Sequence, residues 1–183
     1  MPAGLFLIAL LPPPPLREQV RALKEEMRSR FGSGHALKSP AHITLQMPFR
    51  LSPENEGVLF GALERFAAAQ APFQVDLAGF DCFAPRVLFI RVRDQGPVCH
   101  LHSALQAALA REDSLGLPVE ERPFHPHMTI ATRDLEEPAF YRAWADFQDR
   151  PYQASFEVSG LFLLKHNGRL WDVYREFRFG ESS

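Results

Sequence analysis

Three things are scarce in this 183-residue chain: cysteine, unbroken apolar sequence and an excess of charge of either sign. The two cysteines, Cys82 and Cys99, stand in no metal-binding or redox spacing, which predicts a reduced, cytoplasmic setting. No stretch approaches the roughly 18 apolar residues of a membrane span, so no membrane partner is expected. The apolar opening GLFLIALL (residues 4–11) lacks a basic flank, is short and runs into four prolines, Pro12 to Pro15. It reads as a first strand rather than a secretory segment. With 20 Lys and Arg against 22 Asp and Glu, the formal charge of −2 excludes a protein that coats duplex nucleic acid by bulk positive charge. Any nucleic acid it handles is expected to be a short or terminal piece.

What is present is apolar material for a core: 46% of the chain, including 16 Phe. Leu16, Val20, Leu23, Met27 and Phe31 recur at helical spacing and stop at Gly32 and Gly34. HITLQMPF (42–49) reads as a strand, and Ser52 with Pro53 as the cap and first position of a helix through Leu59, Ala62, Leu63 and Phe66. Residues 73–83 and 86–92 read as strands joined by a turn at Ala84 and Pro85. Pro97 opens a helix with Val98, Leu101, Leu105 and Leu109 on one face. HMTIAT (127–132) is a strand, and Asp134 with Glu137 has the spacing of a capping box before a helix carrying Phe140, Trp144 and Phe147. FEVSGLFLLK (156–165) and residues 169–179 read as a hairpin turning at Asn167 and Gly168.

These elements repeat. LFLIAL answers LFIRV, HITLQ answers HMTIA, and FQVDLAGF answers FEVSGLF. The predicted fold is therefore α+β: one bilobal, pseudo-two-fold domain over residues 1–183, with repeats of about 4–83 and 86–179. Two antiparallel sheets are expected to flank a central cleft, with helices on the outer faces. His42 and Thr44 alternate with buried positions along one strand, as do His127 and Thr129 along the other, so each pair looks toward the cleft. Two imidazoles and two hydroxyls around one point suit a phosphodiester. One histidine accepts a proton while the other donates one, and the hydroxyls hold the non-bridging oxygens. Such a site requires no metal or other cofactor.

The paired HITL and HMTI resemble the H-x-T-hydrophobic signatures of the two-histidine (2H) phosphoesterase superfamily. RPFHPHMTIA (122–131) and the bilobal length are similar to its bacterial RNA 2′,3′-cyclic phosphodiesterase and 2′-5′ RNA ligase-like branch. The resemblance implies His42 and His127 as the acid/base pair and Thr44 and Thr129 as phosphate ligands. It also implies RNA ends with cyclic phosphates, 2′-5′ linkages or small cyclic nucleotides as substrates. Opening a cyclic phosphate with water and joining an RNA hydroxyl to it are the same displacement with different nucleophiles, so the family's ligation is the minor direction in water. The alternative is a nucleotide- or RNA-end-binding module of the same fold with little turnover.

Around these four residues, Lys38 stands four residues before His42, with contact to a phosphate and a solvated place in the loop as its competing roles. Phe49, Phe83 and Phe124 are candidates for stacking a base, with core packing as the competing role of each. Arg133 is in phase with His127, but six residues along a strand is about 20 Å, which leaves it a neighbouring nucleotide or a place before the Asp134 cap. His125 and His127 form an H-x-H, yet no third ligand stands in register. His100 and His102 diverge on their helix and are expected at the surface or in packing. The oligomeric state is left open by the sequence.

Overall fold

The computed structural model describes residues 1–180. Two strand-helix-strand-helix-strand runs follow one another. The first comprises β1 (Gly4–Leu10), α1 (Pro14–Phe31), β2 (Ile43–Leu51), α2 (Glu56–Ala68) and β3 (Phe73–Phe83). The second comprises β4 (Val87–Val92), α3 (Gly96–Ala110), β5 (His127–Ala131), α4 (Glu137–Phe147) and β6 (Gln153–Val158). The chain ends in a hairpin of β7 (Gly160–His166) and β8 (Trp171–Arg178). No helix among the described residues is long and apolar enough to cross a membrane.

The strands form two four-stranded antiparallel sheets, ordered β2-β1-β7-β8 and β5-β4-β3-β6. β2 and β5, which carry the two H-x-T motifs, are therefore both edge strands. β3 leaves the sheet of its own repeat and pairs with β4 and β6 of the other. Phe73 lies opposite Val158 and Val75 opposite Phe156, so the two Phe-x-Val segments pair with each other about Gln74 and Glu157. The pseudo-two-fold axis passes through that pair. The helices interlock likewise: α1 lies against β5 and α4, and α3 against β2 and α2.

The apolar run of β1 is continuous because both its faces are covered. Phe6, Ile8 and Leu10 enter the main core, while Leu7, Ala9 and Leu11 enter a smaller cluster with Leu164. β2 departs from strict alternation: its pairing with β1 slips between Ile8 and Ala9 and again between Phe6 and Ile8.

Three local expectations differ from what the chain adopts. Ser52 makes no side-chain cap; Pro53–Asn55 form a 3₁₀ turn and α2 starts at Glu56. Asp134 does not cap α4, which starts at Glu137 behind Glu136. Its carboxylate is drawn away to accept hydrogen bonds from Ser33 Oγ (2.7 Å), Gly34 N (3.1 Å) and His35 N (3.0 Å), amides exposed where α1 ends at the left-handed Gly32. The single strand expected over residues 156–165 is broken at Ser159, where the chain passes from one sheet to the other. The Asn-Gly turn forms as expected, with Asn167 Oδ1 accepting from the amides of Arg169 and Leu170.

Candidate active site

His42 sits one residue before β2 and His127 is the first residue of β5, so each imidazole is fixed by the approach to its strand. The two approaches are built alike. His42 Nδ1–H donates to the Pro40 carbonyl at 2.7 Å, and His127 Nδ1–H donates to the His125 carbonyl at 2.6 Å. A carbonyl only accepts, so each bond places the proton of the neutral ring on Nδ1 and leaves Nε2 as the free acceptor. Prolines at residues 40 and 126 stiffen both approaches.

Burial pushes the His42 pKa down to about 4, and the charges of Lys24 and His127 push it the same way against the Pro40 hydrogen bond. His127 is also lowered, first by burial and then by His125, against its own carbonyl bond. Both rings are therefore held neutral in the free protein, and the two are near enough to feel each other's charge.

A cleft of about 1020 Å³ is lined by Thr44, His127 and Thr129, whereas His42 is not among its lining residues. Phe83 and Phe124 line it as well, and Phe83 sets its ring edge against His127, with centroids 5.0 Å apart. Phe89 packs beside Phe83 (4.6 Å) and likewise lies 5.0 Å from the His127 ring. Arg133 also reaches the cleft, because β5 ends at Ala131 and the chain turns at Arg133 with φ 61°; extrapolating the strand by 20 Å does not apply. Phe49 is excluded as a base platform. It is 3% exposed and stacks on Phe6, its cross-strand partner, in the core. Lys38 is exposed in the 3₁₀ turn His35–Lys38, near His35 and outside the cleft lining. Among the described residues, no three His, Cys, Asp or Glu side chains are placed to hold a metal ion.

Three residues that the sequence did not single out, Lys24, Gln46 and Gln106, join His102 around the motifs. Lys24 is 2% exposed and donates from Nζ to the Ser39 carbonyl at 2.9 Å. Burial lowers its pKa to about 8, with Arg21 adding to the effect. Its signal was a lysine on the apolar stripe of α1, four residues after Val20 and three before Met27. Of the two roles expected for it, His102 takes packing: it stacks face to face on Phe124, with centroids 3.7 Å and planes 2° apart, and lines the cleft. Gln106 follows it by one helical turn and binds β2, where Gln46 is one of few buried polar side chains. Their i, i+4 spacing beside the apolar face of α3 was the legible sign.

A model of the 2′-5′ RNA ligase superfamily matches residues 12–170. The chain belongs to that superfamily. Among its relatives, the RNA 2′,3′-cyclic phosphodiesterase of Thermus thermophilus is 31% identical over 145 residues, spanning 73% of this chain and 70% of that one. The enzyme of the same name from Geobacillus stearothermophilus is 34% identical over 103 residues, 54% of this chain but only 32% of the relative. E. coli LigT, solved with 3′-AMP, superposes with a TM-score of 0.73 over 98% of this chain and 99% of its own, at 22% identity. This likeness extends the superfamily fold across both sheets.

Proposed function

We propose that this superfamily member is a metal-independent phosphodiesterase that opens 2′,3′-cyclic phosphates at RNA ends or on small nucleotides, with 2′-5′ joining as the minor direction. The observation that carries the reading is the matched pair of Nδ1 anchors, which leave two Nε2 atoms free at pseudo-symmetric strand entrances. The names of the Thermus and Geobacillus relatives supply the substrate class.

In this mechanism His42, the more strongly depressed of the two, is the base. It takes a proton from water as the water oxygen bonds to phosphorus. His127 enters protonated, its pKa raised by the bound phosphate anion, and gives its Nε2 proton to the departing ring oxygen. One P–O bond forms and one breaks, leaving a phosphomonoester and a ribose hydroxyl. Thr44 and Thr129 donate to the non-bridging oxygens as charge gathers there. An RNA hydroxyl in place of water gives joining by the same displacement.

The test is incubation with 2′,3′-cyclic nucleotides, 2′-5′ dinucleotides and cyclic-phosphate RNA, with and without chelator, resolving the products by chromatography. Ring opening that survives chelation is expected. Tight binding of the same compounds without turnover would establish the binding module instead.

A further inference from the structure

Gln106 lies on the wall of the same cleft with an amide whose two halves are used differently. Its Nε2 donates to the Leu45 carbonyl at 3.2 Å and to Gln46 Oε1 at 2.9 Å. A backbone carbonyl accepts only, so the Leu45 bond fixes which end of the Gln106 amide is nitrogen. The Gln46 amide is oriented in turn, with its Nε2 facing the carbonyls of Met47 (3.4 Å) and Pro118 (3.5 Å). Both donors of Gln106 are thereby spent on tying α3 to β2. Its Oε1 accepts no hydrogen bond from the described residues, and the residue lines the cleft.

Position makes this acceptor useful. Leu45 and Gln46 directly follow Thr44 on β2, and two strand residues span about 7 Å, so the amide stands beyond the phosphate-binding hydroxyl by roughly the reach of a sugar. On α3 it is one turn from His102, which covers one face of Phe124 and holds that ring as an aromatic wall of the cleft. An apolar wall with one oriented acceptor beside it is a place for a base edge.

We propose that Gln106 is a specificity-determining residue that reads the nucleobase of the substrate, its Oε1 accepting from the exocyclic amine of adenine, cytosine or guanine while the base lies against Phe124. This rests on the phosphodiesterase reading above. Uracil alone of the four bases lacks that amine and presents carbonyl oxygens flanking its N3–H, acceptor against acceptor. A polar site built for a donor discriminates against the analogue that lacks it.

The test compares kcat/KM of the wild-type protein for cytidine and uridine 2′,3′-cyclic phosphates, and for the adenosine compound against its purine riboside analogue, which lacks only the amine. The amine-bearing member of each pair is expected to be favoured about five- to tenfold, the worth of one hydrogen bond. In Gln106→Met the cytidine value should fall about fivefold further than the uridine value. Equal wild-type values within both pairs overturn the base-reading role while leaving the phosphodiesterase reading intact. Equal losses for both substrates in Gln106→Met reduce the residue to a tie between α3 and β2 and also overturn it. Absence of turnover on all four compounds overturns the phosphodiesterase reading and this inference together.

Discussion

Lys24 and His42 are anchored to neighbouring carbonyls: Nζ donates to Ser39 O at 2.9 Å and Nδ1 to Pro40 O at 2.7 Å. The buried ammonium acts on His42 and has no counterpart among the groups acting on His127. The pseudo-symmetry of the site is broken by this charge.

Replacing Lys24 with Met should raise the His42 pKa, because a like charge that disfavours the imidazolium is gone. The acidic limb of kcat/KM, set by His42 as base, should move to higher pH. Stability at neutral pH should hold or increase, since a lysine whose pKa is lowered to about 8 destabilises the fold fully below that pH and not above its ordinary value. An unmoved limb in a pH–rate profile would remove Lys24 from the mechanism.

In the wild-type protein both histidines lie below their ordinary pKa, so the kcat/KM profile should be bell-shaped and centred on the acidic side of neutrality. Its lower limb is expected near pH 4, where His42 protonates. The sign for stability follows from the same shift. Between about pH 6.5 and 4 the unfolded chain binds a proton at His42 that the folded chain refuses, so stability is full above that window and declines as pH falls through it. Thermal melts from pH 7 to pH 4 read the slope, and His42→Ala should flatten it.

Asp134 couples the second motif to the first. It follows β5, and its three hydrogen bonds hold the end of α1 and the start of the 3₁₀ turn that leads to Ser39, Pro40 and His42. Burial raises its pKa, but the bonds from Ser33, Gly34 and His35 outweigh that and hold it below the usual carboxylate range. Asp134→Ala should cost about 1–3 kcal/mol in denaturant unfolding, and Asp134→Asn less, because an amide oxygen still accepts. An alanine variant as stable as the wild type would show the clamp to be idle.

Much of this was written in local pattern. The placement of His42, Thr44, His127 and Thr129 at the start of two matching strands was legible because period-two alternation and duplication are both carried by neighbouring residues. The crossing of β3 into the other sheet was not, since Phe73-x-Val75 looks the same whether it pairs within its repeat or with its copy. The letter match of LFLIAL with LFIRV also misleads by three residues. Thr44 lies opposite Ala9 and Thr129 opposite Phe89, an offset of 80 where the shared Leu-Phe letters give 83. Asp134 was misread because its partners lie about 100 residues away, and a capping pattern cannot anticipate better-placed amides brought in by tertiary contact. Gln106 and His102 required knowing which helix faces which strand, and the swap of α1 and α3 across the repeats decides that.

The two histidines should prove interdependent in rate. Each fills one half of a proton circuit, so His42→Ala or His127→Ala alone should lower kcat/KM for cyclic phosphates by about 10² to 10⁴. The double variant should lose far less than the product, because an acid achieves little without the base that completes the displacement. Thr44→Val and Thr129→Val, which keep shape and remove one hydroxyl each, should cost about 10- to 100-fold through hydrogen bonds to a charged oxygen. His42→Ala should also remove the lower limb of the pH profile, and His127→Ala the upper. All four side chains are partly exposed rather than core residues, so circular dichroism should remain that of the wild type. A folded single alanine variant with near-normal kcat/KM on every cyclic-phosphate and 2′-5′ substrate would dismantle the paired mechanism, whereas strictly multiplicative losses would mean that the two imidazoles act on separate steps.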